Sequence, residues 1–260
     1  MKKYVLCLLI IFIFYATGKA SNPDNWHIAK SRHFIVYYKH ASDDFIGRLI
    51  EKSEDYYDEI AEALGFRRYN FWLWDNRAKI YVYDNLEDYQ SATGQPPWSH
   101  GATIPRDKII YTYLEAKGFF DTILPHEMGH IIFREFVGFD NYAVPLWLDE
   151  GVASYQENLR YSIANRLVID AVKQGSFIDL ERLSRLNPQL MLDNTSVNLF
   201  YAEATSIIDY LVKEFGKDNF VLFCQNLRDK KNLEKALASS YPFRDIQGLD
   251  RAWQRFLKHE

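Results

Sequence analysis

The chain has 260 residues, with 31 Lys and Arg against 35 Asp and Glu for a net charge of −4, and 48% of it is hydrophobic. That length allows one large domain or two lobes around a shared core. An acidic balance without a basic cluster excludes a nucleic-acid-binding chain, and two cysteines are too few for a disulfide framework.

Lys2 and Lys3 precede an apolar run from Tyr4 to Ala16, and the small residues Gly18 and Ala20 follow it. This is the layout of a signal peptide over residues 1–20, with cleavage after Ala20. The run is shorter than the ~20 residues that span a bilayer. The expectation is therefore an exported protein, periplasmic or extracellular, with no stable membrane span after cleavage. An uncleaved membrane anchor is the alternative. Removing Lys2, Lys3 and Lys19 from the 31 basic residues leaves 28 against 35 acidic, a mature net charge of about −7. Cys224 would then be the one remaining cysteine. Its apolar surroundings in Phe220–Phe223 mark it as a buried small hydrophobe.

HFIVYY (33–38) reads as a strand. From Ser42 to Leu64 the apolar spacing is helical, with Ser42 as N-cap and Gly65 as stop. AKIYVYD (78–84) is a second strand, 85–93 a short helix, and GQPPWSHG (94–101) a loop by its Pro and Gly content. KIIYTY (108–113) is a third strand. A long apolar helix follows over 118–138, then another over 145–159 opened by Pro145. Helices are predicted over about 160–174, 178–186, 197–215, 217–228, 231–239 and 246–258. The fold class is α+β: a small mixed-sheet lobe with the long apolar helix over 21–138, and a mostly helical lobe over 139–260.

Within the apolar helix, LPHEMGHIIF (124–133) places His126 and His130 four apart with Glu127 after the first. Positions four apart lie about 40° apart on one helix face, so both imidazoles can address one ion. Glu127 can reach a water on that ion without being a ligand. With 7 histidines in the chain, chance alone gives about 0.01 such matches. The plain alternative is a pair of core histidines, but three polar groups on so apolar a helix are costly unless paired, and one metal satisfies all three. A third ligand must come from elsewhere. LWLDEGVASYQE (146–157) offers Glu150, with Asp149 beside it as the alternative, and its small residues Gly151, Ala153 and Ser154 would let this helix approach the first. Two His and one Glu form a catalytic zinc set with a fourth position open.

These two segments, and more weakly LFYAEATSIIDYLVKEFG (199–216), resemble the gluzincin metallopeptidases, the clan of thermolysin and the neutral zinc aminopeptidases. Many of these carry a W-L-x-E-G-x-A segment after H-E-x-x-H. The metzincin pattern is excluded, because Phe133 and Phe136 stand where Gly and His would be needed. The resemblance implies a zincin-like fold, a Zn2+ cofactor, His126, His130 and Glu150 as ligands, and Glu127 as general base. It also implies a tyrosine donor to the oxyanion on a later helix, which maps to Tyr201. Ala204 departs from the glycine the family often has three residues on. His100 is the rival donor, and Ser154 a possible partner to a ligand.

The expected substrate is a peptide or protein, paired along the sheet edge formed by KIIYTY or by HGATI (100–104). HGATI lacks the glutamate and asparagine of the Gly-x-Met-Glu-Asn segment with which aminopeptidases of the clan hold an amino terminus, which favours an endopeptidase. A zinc-binding scaffold without catalysis, and a hydrolase of another amide such as a cell-wall bond, stay open at the level of sequence.

Overall fold

The computed structural model describes residues 26–69, 71–97, 99–191 and 193–259. The expected signal peptide at 1–20 lies outside them. Among the described residues no helix is long and apolar enough to cross a membrane.

The sheet has five strands: β1 (His27–Lys30), β2 (Phe34–Tyr38), β3 (Ala78–Tyr83), β4 (Gly101–Ile104) and β5 (Ile109–Tyr113), in the order β1-β2-β3-β5-β4. β2, β3 and β5 run parallel, and the edge strands β1 and β4 pair antiparallel to their neighbours. The sheet is therefore mixed, as expected. Period-two alternation sorts its faces. Phe34, Val36, Ile80, Val82 and Ile110 are buried on one face. Tyr37, Tyr81, Tyr83 and Tyr111 line the other, with Tyr37 and Tyr81 stacked at 4.5 Å across strands.

Between β2 and β3 runs α1 (Asp43–Ala63), whose N-cap Ser42 accepts from the Phe45 N–H. Gly65 ends it at φ +77°, a conformation that favours glycine. The short α2 (Leu86–Thr93) follows β3, capped by Asn85. A π-helical turn (Phe119–Ile123) then leads into α3 (Leu124–Val137). Behind α3 stand α4 (Leu146–Tyr155), α5 (Asn158–Gln174), α6 (Leu180–Leu183), α7 (Asn194–Phe215), α8 (Lys217–Lys230), α9 (Leu233–Ser240) and α10 (Ile246–Leu257). One hydrophobic core runs from the sheet's inner face through α3 to α7, α8 and α10. Cys224 is fully buried in it with a free thiol.

Four expectations need correction. β1 has no counterpart among the expected strands, because HIAK alone carries no strand pattern and becomes a strand by pairing with β2. GATI, whose first residue falls in the expected loop, is strand β4; of the two segments expected at the sheet edge it is the one found there, while KIIYTY lies inside as β5. The helix expected over 145–159 stops at Tyr155 and restarts at Asn158. Only Leu180–Leu183 of the helix expected over 178–186 is α-helical: Asp179 caps its start by accepting from the Arg182 N–H, and Ser184 caps its end.

Candidate active site

The central helix α3 is buried nearly all round, from Leu124 to Phe133 and again at Phe136 and Val137. It can be so apolar because the sheet and α1 cover one side and α4 the other. Its polar groups at 126, 127 and 130 are buried with it. His126, Glu127, His130 and Glu150 are each at most 2% exposed.

α4 crosses α3 at a glycine. A Cβ on Gly129 would lie 2.9 Å from the Cα of Ala153, so the contact closes only with glycine there. Gly151 serves a different neighbour: a Cβ on it would meet the Ala204 carbonyl oxygen of α7 at 2.6 Å. α4 is thus wedged between α3 and α7, with Ala153 facing one and Gly151 the other.

This wedge brings Glu150 to the two histidines. His126 Nε2 and His130 Nε2 are 3.1 Å apart, and Glu150 Oε2 is 3.6 Å from each. A tetrahedral zinc about 2.0–2.2 Å from its ligands would hold them roughly 3.3–3.5 Å apart. The three atoms therefore bracket the edge lengths of such a site, and among the described residues they form a group able to hold a metal ion.

The outer nitrogen of each ring faces a carboxylate. His126 Nδ1 lies 2.7 Å from Glu157 Oε1, and His130 Nδ1 lies 3.1 Å from Asp149 Oδ1. Each carboxylate accepts, so each ring donates from Nδ1, and a ring that is neutral in that form turns a lone pair inward from Nε2. Two such lone pairs 3.1 Å apart would repel, so that state calls for a cation between them. Against burial, which lowers it, the surrounding carboxylates raise the pKa of both rings, so a proton and a metal ion compete for this space. Each carboxylate is held in turn by an arginine. Arg134 donates to Asp149 Oδ2 at 2.8 Å, and Arg160 Nε lies 3.2 Å from both oxygens of Glu157.

Charge points the same way. Glu127, Asp149, Glu150 and Glu157 are four buried carboxylates, and two guanidinium groups accompany them, Arg134 on Asp149 and Arg160 on Glu157. With all four ionised and both rings neutral, two negative charges remain, the charge a divalent ion balances. Glu127 has no hydrogen-bond partner at either oxygen, and Glu150 Oε2 has none. Such orphaned buried oxygens are costly unless a metal or a water satisfies them. Burial pushes the Glu127 carboxyl above its ordinary range, with the nearby histidines opposing. The residues present fit a zinc ion.

The remaining sequence candidates separate. Tyr201 is brought in: it is buried on α7, and after burial itself the nearby charge of Glu150 is what most raises its hydroxyl's pKa. His100 hydrogen-bonds the Tyr113 phenol through Nδ1, an engagement within the sheet. Asp149 serves His130 and Arg134, which leaves Glu150 as the carboxylate facing both rings. The buried Ser154 hydroxyl makes no hydrogen bond.

Glu157, Arg134 and Arg160 are not among the residues the sequence singles out. Arg134 has a signal there, since it continues the His126–His130 face by another four residues. Glu157 has none, because the helix break after Tyr155 removes the periodicity that would place it.

A sheet-backed helix whose inward histidines meet a glutamate from the following helix defines an α+β protein of the metallopeptidase type. Comparison with known families agrees. Residues 74–259 match the model of the Peptidase MA superfamily, and the chain belongs to it. No curated protein matches. Among solved structures, yeast LTA4 hydrolase in complex with bestatin is similar at 15% identity and a TM-score of 0.45, over 90% of this chain and 36% of that one. The present chain thus spans about a third of that protein's length.

Proposed function

We propose that the chain is an exported zinc metallopeptidase of the gluzincin type, cleaving within peptide or protein substrates. The observation that carries this is the triangle of His126 Nε2, His130 Nε2 and Glu150 Oε2, at 3.1, 3.6 and 3.6 Å, with both Nδ1 atoms tied to carboxylates. His126, His130 and Glu150 would hold the ion. When bound there, zinc supplies a Lewis acid that brings the pKa of water down to about 7.

The chain's own groups do the rest. Glu127, with both oxygens free of other partners, accepts the proton of the attacking water and returns it to the leaving amine. Tyr201 donates to the oxyanion; His100 is the less suited donor, being engaged by Tyr113. The substrate backbone adds to the edge of β4 that has no strand partner among the described residues; its other side pairs with β5. β4 reads Gly-Ala-Thr-Ile, with no carboxylate to hold an amino terminus, which supports internal cleavage. Export is supported by the basic start, apolar run and small residues of the first twenty positions.

The test compares zinc content and casein hydrolysis in the wild type and Glu127→Gln. The expected result is about one zinc per chain in both, with the variant's kcat lower by about 10²–10⁴-fold. A native chain that takes up no zinc, or takes it up and cleaves nothing, overturns the reading. Chelation should abolish activity, and added zinc should restore it.

A further inference from the structure

We propose that Arg160 is a positioning residue for the zinc site, holding with one guanidinium both the carboxylate that orients His126 and the ring of Tyr201. This rests on the function proposed above.

Arg160 stands in the first turn of α5, just after the helix break at Gln156 and Glu157. Its Nε is 3.2 Å from both oxygens of Glu157, and Glu157 Oε1 is 2.7 Å from His126 Nδ1. The same guanidinium carbon lies 4.7 Å from the centroid of the Tyr201 ring. One planar cation can do both, because its N–H groups donate in the plane while its face rests on an aromatic ring. The side chain is 15% exposed, so water screens these contacts only in part.

The other histidine supplies the contrast. Arg134 holds Asp149 on His130 in the same manner, but its further hydrogen bond runs to the Asn141 carbonyl beyond the end of α3. Of the two arginines, Arg160 alone lies against a group proposed to act in the reaction. It joins the ring that would bind the ion to the phenol that would meet the oxyanion. A change at Arg160 should therefore disturb both functions, whereas an ordinary surface ion pair would alter stability alone.

The experiment is a double-mutant cycle on the full chain with Arg160→Met and Tyr201→Phe, assayed on a fluorogenic peptide at saturating zinc. Zinc affinity is measured separately, without substrate, by competition with a chelator. Arg160→Met is expected to weaken zinc binding about tenfold and to lower kcat about 10–100-fold, with KM within about threefold. In the Tyr201→Phe background the same change should cost less than about threefold further in kcat, because Arg160→Met unseats the hydroxyl that Tyr201→Phe has already removed. Arg160→Lys keeps the charge but not the fork, and should bring zinc affinity back to within about threefold of wild type. Where Arg160→Met does not fold, Arg160→Lys runs the cycle with the same non-additivity at smaller amplitude. Losses in kcat that multiply across the cycle, or a zinc affinity that Arg160→Met leaves unchanged, overturn the proposal. A wild type that binds zinc and hydrolyses no peptide overturns the peptidase reading instead, and the zinc-affinity measurement then decides Arg160 by itself.

Discussion

Asp149 and Glu157 touch the rings of His130 and His126 from outside the triangle, and their work is done through orientation. Each fixes one imidazole's tautomer and aims its lone pair inward. Glu157→Gln keeps the shape but offers an amide that can face Nδ1 with either end, so the tautomer is no longer dictated. The expected outcome is a zinc affinity lower by about 10–100-fold, measured by chelator competition, with the fold retained by circular dichroism. Asp149→Asn should act likewise and also free Arg134 from its shortest contact.

Close helix approach belongs to the next scale, and two glycines decide it. Alanine at 129 would push α3 from α4, and alanine at 151 would push α4 from the α7 backbone. Each should cost about 1–3 kcal/mol as an overpacked contact. For a chain of this size that lowers Tm by roughly 2–4 °C per kcal/mol. Gly151→Ala should also weaken zinc binding, because Glu150 is the adjacent residue and moves with it. Gly47 supplies the opposite case. It lies within α1, and a methyl group added there would meet nothing within 4 Å, so Gly47→Ala should raise stability by up to about 1 kcal/mol. Calorimetry of the three variants reads all of these shifts.

At the scale of the whole molecule, packing α7 against its neighbours buries an acid away from the proposed site. Glu203 is fully buried; one oxygen accepts the Ile178 N–H at 2.9 Å and the other has no partner. Burial raises its pKa from 4.5 to about 8. A carboxyl raised on folding stays protonated in the native state while the unfolded chain releases its proton. Its contribution is fully present below about pH 4.5 and is lost as pH rises towards about 8, at up to about 1.4 kcal/mol per pH unit. Glu203→Gln keeps an acceptor for Ile178 without a titrating proton. Urea unfolding of the variant across that window should show a flatter pH dependence than wild type, and an unchanged slope would sink the assignment. Zinc should stabilise the molecule as any ligand of the native state does, so Tm should rise with zinc concentration and fall on chelation.

The order and type of most elements, and the shared face of His126 and His130, are legible in the residues alone. These follow from local periodicity and capping, which act within a few residues. The sequence also held the Glu150 candidate, through the two helical segments and their likeness to a known clan. Contacts between residues distant in the chain had to come from the packed fold. These include β4 rather than β5 at the sheet edge, Gly151 turned towards α7, Glu157 on His126 across 31 positions, and Arg160 against Tyr201. No helical or strand period spans such separations, because the packing of whole elements sets them.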